Sequence, residues 1–336
     1  MKPPHNEKRA HRITIVATLV YLVVITIAAL LMGSSSVSFH ELWALISGGE
    51  ISESAASILL NVRLPRVLAA LLAGAALAVS GALIQAALDN PMAAPNIIGI
   101  NSGAGLAVLL VGSFFPGMLF MQPLAAFAGA LLTAAIVFGI SMGAGSSRLT
   151  IILAGIALSA IFGAGMNMIL IINPDAYVGA SGFLVGGLSG VLGRNLIWPG
   201  IYITIGLTLA VLLSSKLNIL SLGDTSAHSL GMNVYRWRMG YLGIAALLAG
   251  AAVSFAGLLG FVGLIVPHLI RFFVGHDNRV VVPVSALFGA AFVVCCDLCS
   301  RVLFAPYEIP VGIFMAFIGG PFFIYLIVRN KRRNDV

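Results

Sequence analysis

The sequence predicts an all-α integral membrane fold, with ten transmembrane helices arranged as two inverted-repeat halves. Three observations carry this. The 336 residues are 60% hydrophobic and only 9% charged, whereas a soluble domain carries roughly 25% charged residues. So few charges cannot make a wetted surface, and lipid must replace water over much of it. Long apolar runs follow one another with short gaps, and Leu71-Leu72-Ala73-Gly74-Ala75-Ala76 recurs as Leu247-Leu248-Ala249-Gly250-Ala251-Ala252.

A span needs about 20 apolar residues. The runs that qualify are 13–32, 64–84, 96–112, 118–142, 149–172, 196–213, 239–258, 260–274, 281–301 and 310–328. The first follows a basic stretch, as a signal peptide would. It is long enough to span and no A-x-A site follows, so it reads as an uncleaved helix. Spans two and three are separated by Asp89-Asn90-Pro91-Met92-Ala93-Ala94-Pro95, whose two prolines stop a helix. The eighth span is short and holds Pro267, so it is expected to be broken, tilted or shielded by protein. The organisation is then a tail at 1–12, a membrane domain at 13–328 with a loop at 214–238, and a second tail at 329–336.

Ten spans put both termini on one side. If that side is cytoplasmic, fourteen of the eighteen Lys and Arg lie inside, and only Arg63, Arg66, Arg194 and Arg301 lie outside. The positive-inside rule therefore places both termini in the cytoplasm of a multi-pass protein. The net charge of +7 is concentrated beside apolar runs. It reads as a topology signal in contact with lipid headgroups, not as a nucleic-acid surface.

The repeated hexapeptide lies in spans two and seven. An odd number of crossings separates them, so the copies run in opposite directions, the mark of an inverted repeat. Pro91 and Pro267 share the same offset of 176 residues. The spacings Gly99/Gly103, Gly139/Gly143 and Gly182/Gly186/Gly190 suit close helix packing within the subunit.

Catalytic signatures are missing. None of the four lysines follows a glycine, so there is no G-x-x-x-x-G-K-[ST] phosphate loop, and neither H-E-x-x-H nor G-x-S-x-G occurs. No enzymatic activity, cofactor or metal site is expected. Cys295, Cys296 and Cys299 share one apolar run and read as packing residues; His268 reads as a packed, hydrogen-bonded histidine. The spans are nearly free of charge, which argues against a proton- or sodium-coupled carrier. Asp297 is the main exception, and Arg301, one turn later, is placed to neutralise it.

The loop between spans six and seven holds a short helix. Gly223 can end one turn, Asp224 can cap the helix, and Gly231 can end it. Leu222, Ala227 and Leu230 give it an apolar stripe, suited either to another protein's groove or to the lipid surface.

Taken together, these segments resemble the FecCD-type permeases of ATP-binding-cassette (ABC) importers for iron–siderophores, haem and cobalamin. The resemblance runs from about residue 60 to 325. It is carried by Arg63-Leu64-Pro65-Arg66, Gly74-Ala75-Ala76-Leu77-Ala78-Val79-Ser80-Gly81, the 89–95 turn, the 220–234 loop, Gly260-Phe261-Val262-Gly263-Leu264-Ile265-Val266-Pro267-His268 and Ile309-Pro310-Val311-Gly312. It implies a cobalamin-importer-permease-like subunit in a bacterial plasma (inner) membrane. Such a subunit pairs with an identical or related permease, two ATPase subunits and a periplasmic or lipid-anchored substrate-binding protein. Under it, Leu222, Gly223, Asp224, Ala227, Leu230 and Gly231 form the ATPase coupling loop. Arg63, Arg66 and Arg301 dock the binding protein, and Ser146 and Ser147 belong to an inner gate. A short helix near the outer mouth is expected at 178–190, and the cargo implied first is a ferric hydroxamate.

Overall fold

A computed structural model describes residues 5–33, 38–49, 51–143 and 147–334, which are helix and connecting turns with no strand among the described residues. The chain begins with α1 (His5–Leu31), α2 (Phe39–Ser47) and α3 (Glu53–Ser57). A wide π turn over Ile58–Arg63 leads without a break into α4 (Leu64–Leu88). Then come α5 (Ile100–Phe114), α6 (Gln122–Gly143), α7 (Arg148–Ile172), α8 (Asp175–Val185) and α9 (Ile197–Leu220). The last five are α10 (Asp224–Ser229), α11 (Val234–Ala256), α12 (Val262–Val274), α13 (Asn278–Val302) and α14 (Val311–Asn334).

Ten of these helices coincide in order with the ten predicted spans. Seven stretches are long and apolar enough to cross a membrane, and α5, α12 and the 311–325 part of α14 are shorter apolar helices. Helical geometry also runs into both predicted tails, from His5 and as far as Asn334. The expected short helix at 178–190 is α8, which starts three residues earlier and stops at Gly186, where φ is +81°.

The inverted repeat is visible in the packing. α4 packs along α13 while α11 packs along α6, and α5 on α6 answers α12 on α13. α4 and α11 meet each other between the halves. α1 and α9 break the pattern, since α1 lies on α13 while α9 lies on α11 and α4. The matching prolines do not belong to the repeat. Pro91 lies in the turn after α4, whereas Pro267 is inside α12. α12 runs through Pro267 unbroken, and Val262 to Pro267 are all buried, so shielding by neighbouring helices is what accommodates it.

Lipid tails are as apolar as leucine, so helices in a membrane are held by close contact more than by hydrophobic exclusion. Two of the tightest backbone contacts are glycine on glycine. A Cβ on Gly74 would stand 2.2 Å from the Gly289 carbonyl oxygen, and one on Gly81 would stand 1.9 Å from that of Gly263. Of the predicted glycine spacings, Gly103 packs against Thr133, whereas among the described residues nothing lies within 4 Å of such a Cβ on Gly139 or Gly143.

α5 is short because the chain stays irregular from Asp89 to Gly99. The end of this segment is buried against α7 at Ile98 and Gly99, where a Cβ on Gly155 would meet the Ile97 carbonyl oxygen at 2.4 Å and Ile98 Cα at 2.8 Å. Irregular backbone at membrane depth must be enclosed by protein and hydrogen-bonded. Buried amides serve the first turn of α12 and the stretch before it: Gln85 donates to the Gly263 carbonyl at 3.1 Å and Asn101 to that of Leu259 at 3.4 Å.

Candidate functional site

Two polar clusters sit at opposite ends of the bundle. At one end, α1 finishes, α4 begins and α13 finishes, which brings Arg63, Arg66 and Arg301 together. Arg66 Nε donates to Asp297 Oδ1 at 3.0 Å, and its Nη1 donates to Glu308 Oε2 at 2.7 Å. Arg301 Nε lies 3.1 Å from Asp297 Oδ2. The predicted i,i+4 pair is therefore present, but Asp297 is shared between two guanidinium groups.

Arg63 and Arg301 turn to the end of α1. Arg63 Nη1 donates to the carbonyls of Leu30 and Leu31, both at 2.6 Å, and Arg301 donates to those of Met32 and Ala29 at 3.2 and 3.3 Å. The last carbonyls of a helix have no partner within it and carry its negative dipole end, so two cations are well placed there. Sequence position suggests arginines facing outward or reaching for headgroups. They instead fold inward, with Arg63, Arg66 and Arg301 exposed by 4%, 7% and 4% and Asp297 by 1%. A cavity of about 380 Å³ opens beside this cluster, lined by Arg66, Glu308, Gln122, Asn195 and Ser189 among others.

The other end carries the 222–232 loop. Gly223 takes φ +95° and precedes α10, and Gly231, at φ +77°, ends the turn after it. Asp224 is not the cap the sequence suggests. Gly223 occupies the cap position and has no side chain to offer a capping bond, while the Asp224 carboxylate is held by two arginines. Arg148 Nη2 donates to Asp224 Oδ1 at 2.5 Å and Arg238 Nη2 to the same oxygen at 2.6 Å. Arg148 also donates through Nη1 to Asp89 Oδ2 at 2.6 Å, and Arg238 Nε donates to the Ala87 carbonyl at 3.0 Å. Partial burial pushes the Asp224 carboxyl up, but the bonds from Arg148 and Arg238 outweigh this and hold it below the usual carboxylate range.

The apolar stripe divides. Ala227 is fully buried against its own chain, while Leu222 and Leu230 stand 61% and 65% exposed on either side of α10. Of the predicted inner-gate serines, Ser146 lies outside the described residues. Ser147 caps α7, accepting from the Thr150 amide at 3.0 Å.

Sequence reasoning passed over Asp89, Arg238 and Glu308 as site residues. Asp89 carried a signal, because it opens the 89–95 turn. The link from Arg66 to Asp297 spans 231 positions, which no local pattern encodes. The cysteines are free, with Cys296 buried, and His268 meets the Phe322 ring edge-on at 6.3 Å.

Comparison with known proteins settles the class. The pattern of the FecCD transport family matches residues 21–329. The chain belongs to the FecCD transport family. It is 37% identical over 323 residues to the hemin transport system permease protein HmuU of Yersinia pestis, covering 94% of this chain and 96% of HmuU. It is 38% identical to the iron(3+)-hydroxamate import system permease protein FhuB of Bacillus subtilis, covering 95% of this chain and 84% of FhuB. A solved inward-facing structure of a metal-chelate type ABC transporter superposes with a TM-score of 0.84 at 29% identity, over 95% of this chain and 99% of that one. This FecCD chain is thus a membrane-embedded permease subunit with the fold of an ABC importer, and ATP hydrolysis belongs to a separate subunit.

Proposed function

We propose that this permease carries an iron chelate inward across a bacterial inner membrane by alternating access, driven by two ATPase subunits on the face that bears α10. That face is the cytoplasmic one, in keeping with the distribution of Lys and Arg. The observation that carries the reading is the pair Leu222 and Leu230. Both are exposed apolar residues flanking a six-residue helix that is fixed to the bundle through Asp224. A short helix displaying two leucines on a rigid mount suits insertion into a partner's cleft. Residues 222–231 are accordingly the ATPase coupling loop, and Ser147, capping α7 beside it, is assigned with Ser146 to the inner gate.

On the opposite face a substrate-binding protein docks over Arg63, Arg66 and Arg301. Supporting this are the convergence of three arginines on one end of the bundle and the partial exposure of Glu308 there. An incoming carboxylate reaches Arg66 by taking the place of Glu308. A second permease copy, identical or related, completes the pathway.

The cargo we favour is a ferric hydroxamate, on the similarity to FhuB; the similarity to HmuU supports haem as a second reading. The test is uptake into vesicles holding this permease, its ATPase and its binding protein, with ferric hydroxamate and hemin offered separately. ATP-dependent uptake of the hydroxamate alone supports the first reading, and uptake of hemin alone supports the second. Uptake that ignores ATP and follows a proton or sodium gradient refutes both.

A further inference from the structure

Asp224 is the first residue of α10, and its carboxylate is gripped from two sides. Arg238 anchors it to the start of α11 and, through the Ala87 carbonyl, to the end of α4. This arginine is buried, with its side chain 3% exposed. Arg148 approaches from the other side, 24% exposed, and spans two carboxylates with its two terminal nitrogens. It is the first residue of α7, and α7 is locked to the 89–99 segment by the backbone contact at Gly155. Its second carboxylate, Asp89, opens that same segment, at a backbone φ of +48°.

The two arginines therefore do different work. Arg238 fixes α10 to the enclosed core of the bundle. Arg148 joins α10 to α7 and to the 89–99 segment, whose end packs on α7. A planar guanidinium with two donor edges can hold two carboxylates in one fixed geometry, which a lysine cannot.

We infer that Arg148 is a positioning residue for transport, passing displacement of the α10 loop to α7 and to the 89–99 segment through its paired contacts with Asp224 and Asp89. The inference rests on the coupling-loop reading above. ATP-driven movement at α10 pulls on Asp224, Arg148 follows, and α7 shifts with the segment packed on it. Where the link is absent the ATPase still assembles and turns over, but its motion is not converted into passage.

The test measures chelate uptake and ATP hydrolysis in the same vesicles, holding the full complex, for Arg148→Gln, Asp224→Asn and the double variant. Coupling between sites generally amounts to a factor of about 5–150. The expected result is a fall of at least ~5-fold in uptake per ATP hydrolysed for Arg148→Gln, with the ATPase still co-purifying. The double variant is expected to be no worse than the poorer single one, because both remove one link. If Arg148→Gln does not assemble, Arg148→Lys is read instead and is expected to lose the same ratio in part. An unchanged ratio overturns the inference, as does a fall in which uptake and hydrolysis drop together. Leu222→Asp separates this from failure of the coupling-loop reading: if that variant keeps the ATPase bound, the loop is not the ATPase contact and the inference falls with it.

Discussion

Replacing Asp297 with alanine removes the one carboxylate that two buried guanidinium groups share. Arg66 keeps Glu308 at 2.7 Å, so part of its charge stays compensated. Arg301 is left with two carbonyl contacts at 3.2 and 3.3 Å and, among the described residues, no carboxylate in direct contact. Removing one member of a buried ion pair costs about 3–5 kcal/mol, mostly because the remaining charge is stranded. With Glu308 retained, the expected loss is near the lower figure, ~3 kcal/mol. That is a large share of a typical stability of roughly 5–15 kcal/mol. The assay is detergent-titrated unfolding of the purified permease, followed by fluorescence of its three tryptophans. Asp224→Ala is the comparison, since it also faces two arginines but its side chain is 49% exposed; solvent screening limits that loss to about 1 kcal/mol or less. Replacing Asp297, Arg66 and Arg301 together with leucine and methionine is expected to recover part of the loss, as burial of apolar groups replaces burial of charge. An Asp297→Ala loss below ~1 kcal/mol, or one equal to that of Asp224→Ala, would refute burial as the source of the effect.

Other outcomes follow from the same geometry. Gly81→Ala places a methyl 1.9 Å from the Gly263 carbonyl oxygen; since both neighbours are backbone, α4 and α12 must separate, at about 1–3 kcal/mol or more in the same titration. Gly139→Ala meets nothing within 4 Å and is expected to be neutral or stabilising by up to ~1 kcal/mol. Leu222→Asp and Leu230→Asp are expected to abolish co-purification of the ATPase while changing unfolding by no more than ~0.5 kcal/mol, because both side chains are exposed. The Asp224 carboxyl is held below its usual range, so its contribution is present above the unfolded value of about 3.9 and is lost as pH falls through the lower folded value. Amide exchange in α10 is therefore expected to stay slow from neutral pH to about 4 and to quicken only below that.

The spans were legible because lipid imposes one rule on every helix that faces it, and a run of apolar residues states that rule locally. Gly223 and Gly231 bound the α10 region correctly for a similarly local reason, since each occupies a left-handed conformation that other residues adopt at a cost. Asp224 misleads at this level. An aspartate after glycine reads as a cap, and only the fold brings Arg148 and Arg238 to it from 76 and 14 positions away. Arg63, Arg66 and Arg301 show the same limit, because their sequence neighbourhood says which end of the bundle they occupy but not that Asp297 and the carbonyls of α1 turn them inward. α2 went unread although its signal was present: Ser38 and Glu41 form a reciprocal capping box around its first turn.

α1 is attached to the rest of the protein unevenly. Along its length it offers lipid a broad flank, with Ile13, Val16, Val20, Val23 and Val24 all more than half exposed, whereas its last turn is gripped by Arg63 and Arg301. Substitution should therefore be tolerated very differently along one helix. Over most of its turns any apolar side chain of suitable length serves the bilayer equally well, so this stretch is free to drift. In the final turn the gripped groups are backbone carbonyls, so identity matters less there than shape. A residue that bends the helix end would misdirect all four acceptors at once, whatever its hydrophobicity.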